Sequence, residues 1–105
     1  MQIKVSSKHV DLTPAIEEYI TTKTQKLTRY FDRIEQIEAK IEKTKQGFTS
    51  EIIASVVQHD PIVSSCDDAD LHASIDGCID RSVRQLTDLK SRLSDKKHGN
   101  SSGGQ

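Results

Sequence analysis

The chain has 105 residues, 33% hydrophobic and only 4% aromatic, and its 15 Lys and Arg are balanced by 16 Asp and Glu for a formal charge of −1. That length suits one compact domain with a thin aliphatic core and leaves no room for a second. Nothing approaches the roughly 20 consecutive apolar residues of a membrane span, the opening MQIKVSSKHV lacks a signal-peptide core, and the balanced charge excludes a uniformly basic nucleic-acid binder.

From Gln2 to Ser7 apolar Ile3 and Val5 alternate with Gln2, Lys4 and Ser6, the period of a half-buried strand. Thr13 then reads as an N-cap, with Pro14 at the first helical position and Glu17 and Glu18 in the first turn, where the helix dipole favours anions. The stripe Ile16, Ile20, Leu27 and Phe31, with Tyr19 and Tyr30 at its margin, predicts a helix to about Asp32. Lys23 falls on this stripe, either snorkelling out of a seam or rising between two helices toward a phosphate.

From Glu35 the period returns to two, with Ile37, Ala39 and Ile41 inward and a turn at Lys45-Gln46-Gly47. Phe48 to Gln58 predicts a third strand with Ile52, Ala54 and Val56 inward and an unusually apolar second face at Ile53 and Val57. His59-Asp60-Pro61 predicts a tight turn and Ile62 to Cys66 a short fourth strand. Asp67 or Asp68 would cap a long helix on the stripe Leu71, Ile75, Cys78, Ile79, Leu86, Leu89 and Leu93. The expected fold is α+β in the order β-α-β-β-β-α, a four-stranded sheet with both helices on one face. The domain is expected to span residues 1–97, followed by a disordered Gly/Ser tail at 98–105.

Charge is polarised along both helices. On a wheel of 100° per residue, Lys26, Arg29 and Arg33 share an arc of about 60°, and Arg81, Arg84 and Arg92 one of about 80°, with Lys90 further round. Acids open both helices, Asp67, Asp68, Asp70, Asp76 and Asp80 crowding the second. Dipole complementation alone would produce such polarity, and so would a basic face built for a polyanion.

Cys66, His72 and Cys78 are spaced Cys-x5-His-x5-Cys, which matches no usual zinc pattern and lacks a fourth ligand. Cys66 and Cys78 read instead as small inward side chains. No glycine-rich elbow, phosphate-binding loop or paired-carboxylate pattern supports catalysis, so neither an enzyme, a cofactor nor a small-molecule substrate is expected.

The runs KLTRYFDRI (Lys26 to Ile34) and IDGCIDRSVRQL (Ile75 to Leu86), with the opening MQIKVSSKHVDLTPAI, resemble the ribosome hibernation promoting factors, also called ribosome-associated inhibitors or sigma-54 modulation proteins, in their short form. The resemblance covers about residues 1 to 97. It implies a fold related to double-stranded RNA-binding domains and a cytoplasmic protein, monomeric off the ribosome. The implied role is to occupy the decoding channel of the small subunit, against 16S-type rRNA and where mRNA and the A- and P-site tRNAs lie, and so to inhibit translation under stress or in stationary phase. Carried over by position, the implied RNA contacts are Lys23, Lys26, Arg29 and Arg33 from the first helix and Arg81, Arg84 and Lys90 from the second; Tyr30 and Phe31 read as core and Asp32 as a partner for a neighbouring base. Two positions depart from the family pattern. Ser82 stands where Leu is usual, predicting loosened or altered packing, and Asp88 where Lys is common, predicting a weaker local field. The competing readings are an interaction module acting on a transcription or stress regulator, and a general double-stranded RNA binder.

Overall fold

The computed structural model describes residues 1–97, so the tail expected to be disordered lies outside the described residues. The chain runs β1 (Gln2–Lys8), α1 (Pro14–Gln25), a 3-10 turn (Lys26–Arg29), β2 (Ile34–Thr44), β3 (Gly47–Val56), β4 (Ile62–Asp68) and α2 (Leu71–Lys97). This is the α+β order expected. The sheet order is β1-β2-β3-β4, with β1 parallel to β2 across the α1 connection and the remaining pairs antiparallel. Ile3 beside Ile37, Ala54 beside Ile37 and Ile62 beside Ala54 show one row of the face that both helices cover. Buried Ile20, Leu27, Phe31, Ile37, Ile52, Ile75, Leu86 and Leu89 fill the layer between.

Local chemistry explains the elements. Thr13 Oγ1 accepts from the Ile16 amide at 3.2 Å ahead of Pro14, fixing the start of α1. Gly47, at φ 147, opens β3 where a Cβ would lie 2.5 Å from the Asp68 carbonyl oxygen, so only glycine lets the hairpin pass the end of β4.

Four local expectations are corrected. The α-helix ends at Gln25 rather than near Asp32: the chain tightens into the 3-10 turn, where Thr28 Oγ1 donates to the Gln25 carbonyl at 2.8 Å. The stripe on α1 passes through Ile20 and Thr24 rather than Lys23, which is half-exposed beside it: Thr24 is buried because its hydroxyl turns back onto the Ile20 carbonyl at 2.9 Å and satisfies its one polar group within the helix. The α2 cap is Asp70, whose Oδ2 accepts from the Ala73 amide at 2.9 Å; Asp67 and Asp68 still belong to β4. The reversal after β3 begins at Val57 and at Gln58 (φ 56), ahead of the predicted turn, and the Val57 amide donates to the Arg33 carbonyl at 3.0 Å.

The second face of the sheet is uncovered by the described residues. The cross-strand pair Ile53 and Val63 lies there, Val63 48% exposed, among alternating Lys4, Glu38, Lys40 and Glu51.

Candidate nucleic-acid interface

Of the seven predicted contacts, Lys23 stands on α1, Lys26 and Arg29 on the 3-10 turn, Arg33 in the loop before β2, and Arg81, Arg84 and Lys90 on α2, where they occupy different flanks. Arg81 and Lys90 are nine residues apart, which at about 100° per residue is half a turn. Lys90 therefore lies on the α1 side of α2 and Arg81 on the β4 side.

On the α1 side, Arg33 from the loop before β2 and Lys90 from α2 line one cleft with Phe31, Asp32, Leu93 and Ser94. Both cations are exposed. The 3-10 turn brings Lys26 and Arg29, three residues apart, onto one side, since i and i+3 eclipse at three residues per turn. Arg33 has left the helix, so the arc drawn for it on an α-helical wheel does not exist; the loop rather than the wheel carries it to Lys90.

Further along the same flank the helices are joined by a polar cluster. Tyr19 Oη donates to Asp76 Oδ1 at 2.5 Å, and its ring meets His72 edge-on at 4.8 Å between centroids. Lys23 Nζ stands 4.0 Å from the same Oδ1 and 5.3 Å from the Tyr19 ring centre. The Asp76 carboxylate accepting its proton, reinforced by burial, pushes the Tyr19 phenol up to about 12.

On the β4 side the side chains are tied down. Arg81 Nη1 donates to the Ser65 carbonyl, and Gln85 Nε2 donates to the Val63 carbonyl at 3.0 Å and to Ser64 Oγ at 3.1 Å. These two residues satisfy the outward carbonyls of an edge strand that would otherwise be open to another chain. Beneath them Ser82 Oγ donates to Ser64 Oγ at 3.0 Å, both fully buried. Ser82 thus packs against β4 through a pair of hydroxyls rather than an aliphatic contact. A second pair, Ser50 and Ser74, shares a 2.7 Å bond; Ser74 Oγ also donates to the Leu71 carbonyl, which leaves Ser50 as the donor between them. Cys78 Sγ donates to the Ser64 carbonyl at 3.3 Å, and burial pushes its thiol up to about 12. Arg84 and Asp88 share shallow clefts on the outer side of α2, one of them with Arg81, so the acid does stand among the bases.

Two expectations fail. Tyr30, which C-caps the 3-10 turn, is 42% exposed rather than core, whereas Phe31 is buried as expected. Asp32 makes no ion pair among the described residues, where the pair present is Lys23 with Asp76. His72 packs on Tyr19 while Cys78 faces β4, so the Cys-His-Cys spacing does not converge. Sequence reasoning missed Asp76, Tyr19 and Gln85 as organisers of the helical surface. The acid was visible only as one of five near the start of α2.

The sequence pattern of the family described as "Sigma 54 modulation protein / S30EA ribosomal protein" matches residues 3–94. The ribosome hibernation promoting factor of Escherichia coli (strain K12) is 38% identical over 98 residues, covering 93% of this chain and 100% of its own. That of Azotobacter vinelandii is 30% identical over 101 residues, covering 94% and 92%. Among solved structures, the N-terminal domain of Thermus thermophilus Protein Y superposes with a TM-score of 0.77 at 27% identity over 85% of this chain and 99% of that one. A ribosomal subunit interface protein from Coxiella burnetii shares the fold, with a TM-score of 0.76 at 21% identity over 87% and 99%. Among the described residues no helix is long and apolar enough to cross a membrane.

Proposed function

Because the chain belongs to the sigma 54 modulation protein / S30EA ribosomal protein family, we propose that it is a ribosome hibernation factor that occupies the decoding channel of the small subunit and blocks translation under stress or in stationary phase. It works in the cytoplasm, as a monomer off the ribosome, and by occupancy rather than catalysis. The helical face is the rRNA-binding surface, using Lys23, Lys26, Arg29, Arg33, Arg81, Arg84 and Lys90 against phosphates. The observation that supports this most is that Arg33 and Lys90 line one exposed cleft, two cations to the single acid Asp32, on a chain whose net charge is −1.

Each phosphate neutralised releases condensed counterions, so the logarithm of the affinity falls by about 0.7 to 0.9 per contact for each tenfold rise in salt. Lys23 and Arg81 already have protein partners and add to that slope only where a phosphate displaces or shares those partners. Recognition is of RNA shape and backbone. The interaction-module reading gains no support from the relatives named above.

The test is sedimentation of purified ribosomes with the protein through sucrose at low and raised salt. Travel with small subunits and intact ribosomes, lost as salt rises, is the expected result; protein left at the top under both conditions overturns the proposal. Displacement from ribosomes by excess duplex RNA would favour a general RNA binder instead.

A further inference from the structure

Lys23 stands between two possible partners, and the atoms around it say how the choice is made. Its ammonium is 4.0 Å from Asp76 Oδ1, the outer limit of an ion pair, and its side chain is 32% exposed. That same Oδ1 is already engaged by the Tyr19 hydroxyl at 2.5 Å. The carboxylate is therefore anchored by the phenol, and the lysine is held loosely by charge and by the face of the Tyr19 ring. An exposed pair of this kind contributes little stability, yet it places a fixed negative charge beside one of the cations of the rRNA-binding face.

We propose that Asp76, fixed by Tyr19, is a specificity-determining residue that masks Lys23: it keeps the lysine paired in the free protein and releases it only where a correctly placed phosphate competes with the carboxylate. This rests on the reading of the helical face as an RNA-binding surface. Its consequence is discrimination. A loosely docked or wrongly spaced RNA backbone meets a neutralised Lys23, whereas the intended site gains an additional contact. In a chain with net charge −1, masking limits the binding to stray RNA that an unpaired cation would add.

Two substitutions act on the mask in opposite directions. Asp76→Asn keeps an acceptor for the Tyr19 hydroxyl but removes the charge, freeing Lys23. Tyr19→Phe removes the hydroxyl that occupies Oδ1, leaving the whole carboxylate to Lys23. Binding is measured for wild type, both variants, Lys23→Gln, and Asp76→Asn with Lys23→Gln, each against small ribosomal subunits and against a generic RNA duplex over a salt series.

Asp76→Asn is expected to tighten duplex binding about two- to fivefold at low salt and to steepen its salt slope by about 0.7 to 0.9, one contact. The gain should vanish in the Lys23→Gln background, Tyr19→Phe should weaken duplex binding, and small-subunit affinity should change less than duplex affinity. Equal duplex binding by wild type and Asp76→Asn, including none by either, overturns the mask, as does a gain that survives Lys23→Gln. Failure of every variant to sediment with small subunits overturns the ribosome reading instead, and the duplex series still reports on Lys23 and Asp76. A folding defect in one variant does not spare the proposal, because the other must still shift binding in its own direction.

Discussion

The two flanks of α2 carry the same kinds of residue and use them differently. Facing β4, Arg81 and Gln85 are spent on main-chain carbonyls, Ser82 is paired to Ser64, and Gly77 lets the helix come so close that a Cβ there would lie 2.5 Å from Cys66 Sγ. Facing α1, Lys90 and Arg33 line an open cleft, and Lys23 is held at 4.0 Å by a carboxylate already engaged elsewhere. One flank is fastened and the other left available. A basic residue on a helix is thus not a unit of binding surface: its worth to a polyanion depends on what else its donors already hold. Arg81 can share remaining donors with a phosphate, while Lys90, which has no hydrogen bond or ion pair among the described residues, can offer its ammonium whole.

The sharpest way to break this contrast is to reverse charge on each flank separately. Arg33→Glu with Lys90→Glu is expected to leave the thermal midpoint unchanged and to weaken ribosome co-sedimentation by on the order of tenfold to a hundredfold, with a shallower salt slope. Arg81→Glu should lower both affinity and thermal midpoint, because it places a carboxylate against the Ser65 carbonyl and reopens the edge of β4. If the two flanks respond alike in both assays, the distinction between fastened and available cations is wrong.

Much of this was legible beforehand where periodicity has a single physical meaning. The alternation in Ile37, Ala39 and Ile41 and in Ile52, Ala54 and Val56 specified the buried face of the sheet, and all six side chains are buried. The Thr13-Pro14 start of α1 was equally plain, since capping is written in adjacent residues. What escaped depended on partners distant in sequence or on groups that every residue has. Arg81 binds a main-chain carbonyl, which carries no side-chain signature. Phe31 is buried as the stripe implied, but the burial of Thr24 follows from a hydroxyl folding back on its own helix, and the exposure of Tyr30 from three residues per turn replacing 3.6 after Gln25. Grouping Arg33 with Lys90 required the loop before β2, whose path no helical wheel describes.

The fastened flank can be tested by stability alone. Gly77→Val is expected to cost about 1–3 kcal/mol through overpacking against Cys66, read as a lowered denaturant midpoint. Cys66→Ala should recover part of that loss while having little effect by itself. Ser82→Ala, which leaves Ser64 Oγ with only the Gln85 amide as donor, is expected to cost about 1 kcal/mol. All three changes should leave the salt slope of ribosome binding unaltered, because none touches an available cation.

The smallest effect belongs to the available flank and is read by pH. Tyr19 is held protonated by Asp76, so its folded-state value of about 12 lies above its ordinary value of 10.0. A group whose folded value is raised contributes its stability fully below the unfolded value and loses it as pH climbs through the folded one. The contribution is therefore complete below pH 10 and fades between about pH 10 and 12. Solvent access to the pair keeps it at about 0.5 kcal/mol or less. Comparing wild type with Tyr19→Phe isolates it from every group that the two proteins share. The difference in stability should be constant at neutral pH and shrink above pH 10. A difference that stays level to pH 12 would mean that the phenol is not fastened to Asp76, leaving Lys23 as that carboxylate's principal partner and the α1 flank ordered by charge alone.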